Sequence, residues 1–156
     1  MTQEFRTFQY LNDKTAPGLT SFAGLPLYID MATSTGLLGA IDKNLQTKTQ
    51  GWTDSQIILS LLLLNMAGGD SVADIERLEA DEGLRTLLLK TETQGMKRKE
   101  RRKYERRFRK SKQRAFPSES VVHRYLEQFH HAKEESKRQE GTAFIPAAND
   151  HLDKLT

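Results

Sequence analysis

The feature that most constrains this chain is a capped stretch that is apolar nearly all round, residues 53–69 (TDSQIILSLLLLNMAGG). Thr53 and Gln56 stand three apart, as in a capping box. The threonine hydroxyl accepts from the Gln56 amide, and the glutamine side chain reaches back to the Thr53 amide. Beyond the cap, Ile57, Ile58, Leu59, Leu61, Leu62, Leu63 and Leu64 cover almost every direction around the axis. A helix of that kind has to be enclosed by other elements. Gly68-Gly69 ends it, because glycine takes positive φ without a side-chain penalty. Interrupted by Ser60 and Asn65, the stretch is too short to cross a bilayer, which takes about 20 apolar residues. The expectation is an all-α, mainly helical domain with this helix at its buried centre.

The flanking segments supply what encloses it. From Pro26, Leu27, Tyr28 and Met31 give one apolar face, and Leu37, Leu38, Ile41 and Leu45 give another beyond Gly36. Ser71, with Asp74 in the complementary capping position, starts a helix that turns Val72, Ile75 and Leu78 inward. Leu84, Leu87 and Leu88 form the next. After Phe116-Pro117-Ser118, the spacing of Val121, Val122, Tyr125, Leu126 and Phe129 predicts an amphipathic helix that frays through 133–140. At the N-terminus, Phe5, Phe8 and Tyr10 read as a possible short strand broken by Pro17-Gly18. The chain thus divides into an arm at 1–18, a helical region at 19–140 with a basic segment at 96–114, and a lead-in at 141–156.

Charge is segregated along the chain. Residues 97–114 (KRKERRKYERRFRKSKQR) carry twelve of the 24 Lys and Arg residues and only two acidic ones, Glu100 and Glu105. That run is +10 in a chain of +3, so the remaining residues sum to −7. Clustered cations beside an acidic body fit a polyanion partner, because phosphate backbones reward them through counterion release. The candidate phosphate contacts are Lys97, Arg98, Lys99, Arg101, Arg102, Lys103, Arg106, Arg107, Arg109 and Lys110. Tyr104 and Phe108, four apart, share a face flanked by Arg101 and Ser111, and either stack on bases or pack on the domain. A face only two aromatics wide argues against membrane-surface binding. The better candidate for sequence readout is the helix after Ser118, where Ser120, His123 and Arg124 lie off the apolar stripe; the alternative is a packing helix with an ordinary polar face. The helix after Ser71 is too acidic to enter a groove.

Several classes of chemistry are excluded. With no cysteine there is no disulfide and no thiolate chemistry. His130 and His131 point about 100° apart on a helix, the wrong geometry for one metal. The carboxylates Asp70, Asp74, Glu76, Glu79, Asp81 and Glu82 read as a solvated acidic face. The first residues lack a basic-then-apolar leader, which makes the expectation a cytoplasmic protein without catalytic residues, metal or membrane contact of its own.

Four blocks carry a resemblance. LTSFAGLPLYIDMATSTGLLGAIDKNL, QGWTDSQIILSLLLLNMAGGDSVADIERLEADEGLRTLL, and FPSESVVHRYLEQFH with AFIPAANDHLDKL resemble the N-terminal region of DDE transposases of bacterial insertion sequences, closest to insertion-sequence family 1380. The GWTDSQ helix start, the LNMAGGDSVADI turn and LEADEG are its most specific parts. The resemblance implies a helical DNA-binding region ahead of a ribonuclease-H-like domain, whose Asp, Asp and Glu hold Mg²⁺ for strand cleavage and transfer. It places that domain after residue 156 and assigns no catalytic role to Asp150 or Asp153. The partner implied is the element's terminal-repeat DNA, with a homo-oligomer or the full-length transposase as possible protein partners. An interaction module that modulates full-length transposase, and a remnant without function, are the alternatives.

Overall fold

In this computed structural model residues 18–106, 114–130, 133, 136 and 137 are described, positions 103, 105 and 106 by their backbone alone. The expected strand at Phe5, Phe8 and Tyr10, the lead-in at 141–156, and Arg107, Phe108, Arg109, Lys110 and Ser111 lie outside the described residues, as does most of 133–140. The described residues form seven α-helices and no strand, so the protein is all-α. In order they are α1 (Leu25–Ser34), α2 (Leu37–Asn44), α3 (Asp54–Met66), α4 (Ile75–Ala80), α5 (Glu82–Thr93), α6 (Arg98–Arg106) and α7 (Glu119–Leu126). No described helix is long and apolar enough to cross a membrane.

The central helix is where the sequence puts it. The Thr53 hydroxyl accepts from the Gln56 amide at 3.2 Å, and the Thr53 amide donates to Gln56 Oε1 at 3.0 Å, so the capping box is complete. Ile57 and Leu63 are fully enclosed, with α1, α2 and α4 packed around them. The same first turn also fastens what precedes it. Asp54, almost wholly buried, accepts from the Thr47 and Lys48 amides at 3.1 Å each and from the Thr47 hydroxyl. Ser55 donates its amide and hydroxyl to the two oxygens of Asp42 on α2, at 2.9 and 2.7 Å. A buried carboxylate is tolerated here because its oxygens are filled by donors.

Two apolar stripes run in a different register from the sequence expectation. On α1 the buried side is Leu25, Pro26, Ile29 and Ala32, while Leu27 and Met31 are more than half exposed and Tyr28 is 40% exposed. The helix starts one residue before Pro26, and Leu25, Ile29 and Ala32 join the core cluster, which leaves Leu27, Tyr28 and Met31 on the outer side. Leu37 is exposed in the same way, whereas Ile41 and Leu45 are buried as expected. On α7, Val122 and Tyr125 are buried and Phe129 packs on them edge to face, its ring 5.2 Å from that of Tyr125; Leu126 faces solvent.

The acidic face is also corrected, since several of its carboxylates are structural. Asp74 closes its expected box on Ser71, though a 3-10 turn at Val72–Asp74 precedes α4. Asp81 caps α5 through the Leu84 amide at 2.8 Å and receives the Ser21 amide and hydroxyl at 2.9 and 3.0 Å. That clasp lays residues 18–20 across α5 at Gly83, where a Cβ would come within 2.5 Å of the Gly18 carbonyl oxygen. Partial burial opposes the Asp81 charge, but the donors from Leu84, Ser21 and Thr20 outweigh it and hold its carboxyl below the usual carboxylate range.

A carboxylate depressed in the folded state stabilises the fold above its unfolded pKa of about 3.9, and that contribution disappears as pH falls through the lower folded value. Acid-titrated urea denaturation is therefore expected to show a shallower acid limb for Asp81→Asn than for the natural chain. The register of the last helix gives a second expectation. Phe116→Ala, at a fully buried ring, costs about 3–5 kcal/mol. Leu126→Ala costs under about 1 kcal/mol in the same assay.

Candidate nucleic-acid interface

The basic run becomes helical directly after α5. The Lys97 amide donates to Glu100 Oε2 at 2.9 Å, closing the start of α6, and Gly95 with φ of 79° makes the bend before it. Within α6, six cationic residues face two acidic ones. Such a helix has nothing apolar to bury except Tyr104, and Tyr104 is what docks it. Its ring is 6% exposed and its hydroxyl donates to Glu92 of α5. The other oxygen of Glu92 accepts from Gln56 Nε2 at 2.8 Å. Tyr104 therefore packs on the body rather than offering its ring to a base.

This anchor sorts the candidate cations by direction. At 100° per residue, Lys97 and Arg101 fall within roughly 60° of Tyr104, on the flanks of the docked face. Arg98, Lys99 and Arg102 fall roughly 120–160° away, on the outward side. All five are exposed. Lys103 and Arg106 lie in α6 by backbone, and Arg107, Arg109 and Lys110 are outside the described residues. Beside the anchor a cavity of about 390 Å³ is bounded by Leu59, Leu88, Asp42, Gln56, Glu92 and Tyr104, among others.

The run ends in a second attachment. Arg114 Nη2 meets Glu76 Oε1 of α4 at 2.7 Å, and its Nε donates to the Phe116 carbonyl at 3.1 Å. Glu79 Oε2 accepts from the amides of Ala115 and Phe116, each at 3.0 Å. With Ala115, Phe116 and Pro117 buried, α7 starts from a fixed point. Tyr125 carries that helix against the body: burial first, and then the neighbouring Asp54 carboxylate, push its phenol well above the ordinary tyrosine range.

The readout candidates are on the surface of α7. Ser120, His123 and Arg124 are exposed, and Arg124 Nε donates back to the Ser120 carbonyl at 3.0 Å. His123 Nε2 lies 3.5 Å from Glu119 Oε1, and Ser118 makes no side-chain cap bond. Glu119 and Glu127 share this surface, so α7 lacks the cationic excess of α6.

Sequence reasoning missed Glu92 and Glu79, although a signal for each was present. Glu92 follows Leu84 and Leu88 at helical spacing, and Glu79 follows Ile75 by four; each is an acid in line with a buried stripe. For the Mg²⁺ site implied by the resemblance, no three His, Asp or Glu side chains among the described residues are grouped to hold an ion. Asp42, Asp54, Asp74, Asp81, Glu79 and Glu92 are occupied by backbone or side-chain donors instead, and no step of strand cleavage is assigned to them. No family model, curated protein or solved structure matches the chain.

Removing the Glu79 carboxylate strands two amides in a buried setting, at about 1–3 kcal/mol each when left unpaired. Glu79→Ala is expected to lower the urea midpoint and to deprotect the amides of 115–125 in hydrogen exchange before those of α3.

Proposed function

We propose that this chain is the DNA-binding portion of a bacterial insertion-sequence transposase, holding duplex phosphates along α6 and presenting α7 to base edges. The observation that carries the reading is the outward side of α6: Arg98, Lys99 and Arg102 exposed on a helix whose opposite side is pinned by Tyr104. A disordered basic segment would lose conformational entropy on meeting DNA, whereas a docked helix has already lost most of it. The acidic body adds direction, because carboxylates on α4 and α5 repel phosphates and favour approach on the α6 side. The sequence blocks that resemble insertion-sequence transposases make the partner DNA rather than another polyanion, and terminal repeats the target. Strand cleavage belongs, in this reading, to the family's catalytic domain with its Mg²⁺, and this region positions DNA for it.

Phosphate contacts fix register without selecting sequence, so selection falls to Ser120, His123 and Arg124. A second reading is favoured by α1, whose outward Leu27, Tyr28 and Met31 form an apolar surface on the helix. That surface suits an interaction module that assembles with another copy or with full-length transposase.

Titration of terminal-repeat and scrambled duplexes at two salt concentrations tests the reading. Binding is expected to weaken steeply with salt, and Lys99→Ala with Arg102→Ala to reduce the slope of log K against log salt by about 0.9 each on both duplexes. Arg124→Ala is expected to narrow the preference for the repeat and leave the slope nearly unchanged. Absence of binding at low salt would contradict the proposal.

A further inference from the structure

The geometry points to Glu92, an acidic residue, as a positioning residue for the binding of a polyanion. This rests on the reading of α6 as a phosphate-gripping helix. The partner it serves is the sugar-phosphate backbone of duplex DNA, met by the ridge of Arg98, Lys99 and Arg102.

The argument begins from what α6 lacks. Its nine residues, RKERRKYER, contain one apolar side chain, so no hydrophobic stripe fixes its rotation about its own axis. Among the described contacts, a docked ring and its hydroxyl hold that rotation. The Tyr104 ring is buried and its hydroxyl bonds to Glu92. Glu92 is in turn held by Gln56, whose carbonyl oxygen is engaged by the Thr53 amide in the cap of α3. Rotation of α6 is thereby referred back to the most enclosed helix of the domain. Turning α6 by one residue position, about 100°, would bring Glu100 toward the ridge direction in place of a cation. Glu92 decides which residues DNA meets, although it does not touch DNA.

This assignment gives a sign opposite to bare electrostatics. Glu92 stands next to a +10 segment, and like-charge reasoning says that removing it strengthens the attraction of that segment for phosphate. Positioning says the reverse. Charge and geometry can be separated with Tyr104→Phe, which keeps the ring and every charge and deletes only the hydroxyl.

The experiment compares the natural chain, Glu92→Ala, Tyr104→Phe and the double variant on a scrambled duplex, measuring the dissociation constant across salt concentrations. Each single variant is expected to bind several-fold to about tenfold more weakly and with a shallower salt slope, reporting fewer phosphates engaged. The double variant is expected to be no worse than the weaker single one, since both break one link. Circular dichroism checks helicity, and if Glu92→Ala loses it, Tyr104→Phe alone decides. Unchanged or tighter binding by Tyr104→Phe, with an unchanged slope, overturns the positioning role while leaving the DNA reading standing. Failure of the natural chain itself to bind at low salt removes the DNA reading, and the positioning role with it.

Discussion

The first turn of α3 is the point on which the described structure depends. Four consecutive residues each secure a different part of the chain. Thr53 caps the helix, Asp54 gathers the amides of Thr47 and Lys48, Ser55 bonds to Asp42 of α2, and Gln56 holds Glu92 of α5. Through Glu92 the same turn reaches Tyr104 and the basic helix, and Asp54 lies beside Tyr125 of α7. Polar groups at the end of an enclosed helix have no water to satisfy them, so each must find a partner within the fold. Those partners come from α2, α5 and the 47–48 loop, so the turn orders the domain as well as one helix.

The division of charge takes on a structural meaning from this arrangement. The acidic excess outside the basic run is partly consumed in place: Asp81 clasps Ser21, Glu79 receives the amides of Ala115 and Phe116, and Glu76 meets Arg114. The basic run is attached by carboxylates of consecutive helices, at Tyr104 by Glu92 of α5 and at Arg114 by Glu76 of α4, with Glu79 of α4 holding the two amides just beyond it. The outward cations Arg98, Lys99 and Arg102 of α6, which precede both attachments, are exposed, the condition under which a phosphate backbone can displace their counterions.

How legible this was from the sequence depended on whether local or tertiary rules governed each element. The capping box at Thr53, the Gly68 turn at φ of 74° and the Ser71–Asp74 box were all readable, because each is settled within a few residues. The rotation of α1 was not. Apolar residues stand on both sides of that helix, Leu27, Tyr28 and Met31 on one and Leu25, Ile29 and Ala32 on the other, and only packing against the rest of the domain decides that the second side is buried. The interface was half legible. A density of cations announced a polyanion site, yet which cations face outward depended on Tyr104 finding Glu92, a pairing twelve residues apart that no periodicity encodes. Acids on buried stripes, at 79 and 92, were the one clue, and they read more easily as solvated charge.

The most direct test of the central role of the α3 turn is native-state hydrogen exchange on the full chain carrying Gln56→Ala. This change cuts the glutamine out of the cap and out of its bond to Glu92 while leaving the apolar core intact. Amides of α6 are expected to lose protection well ahead of those around Phe116 and Val122, which are held from α4. Protection of α6 equal to that in the natural chain would contradict the dependence of the basic helix on the first turn of α3.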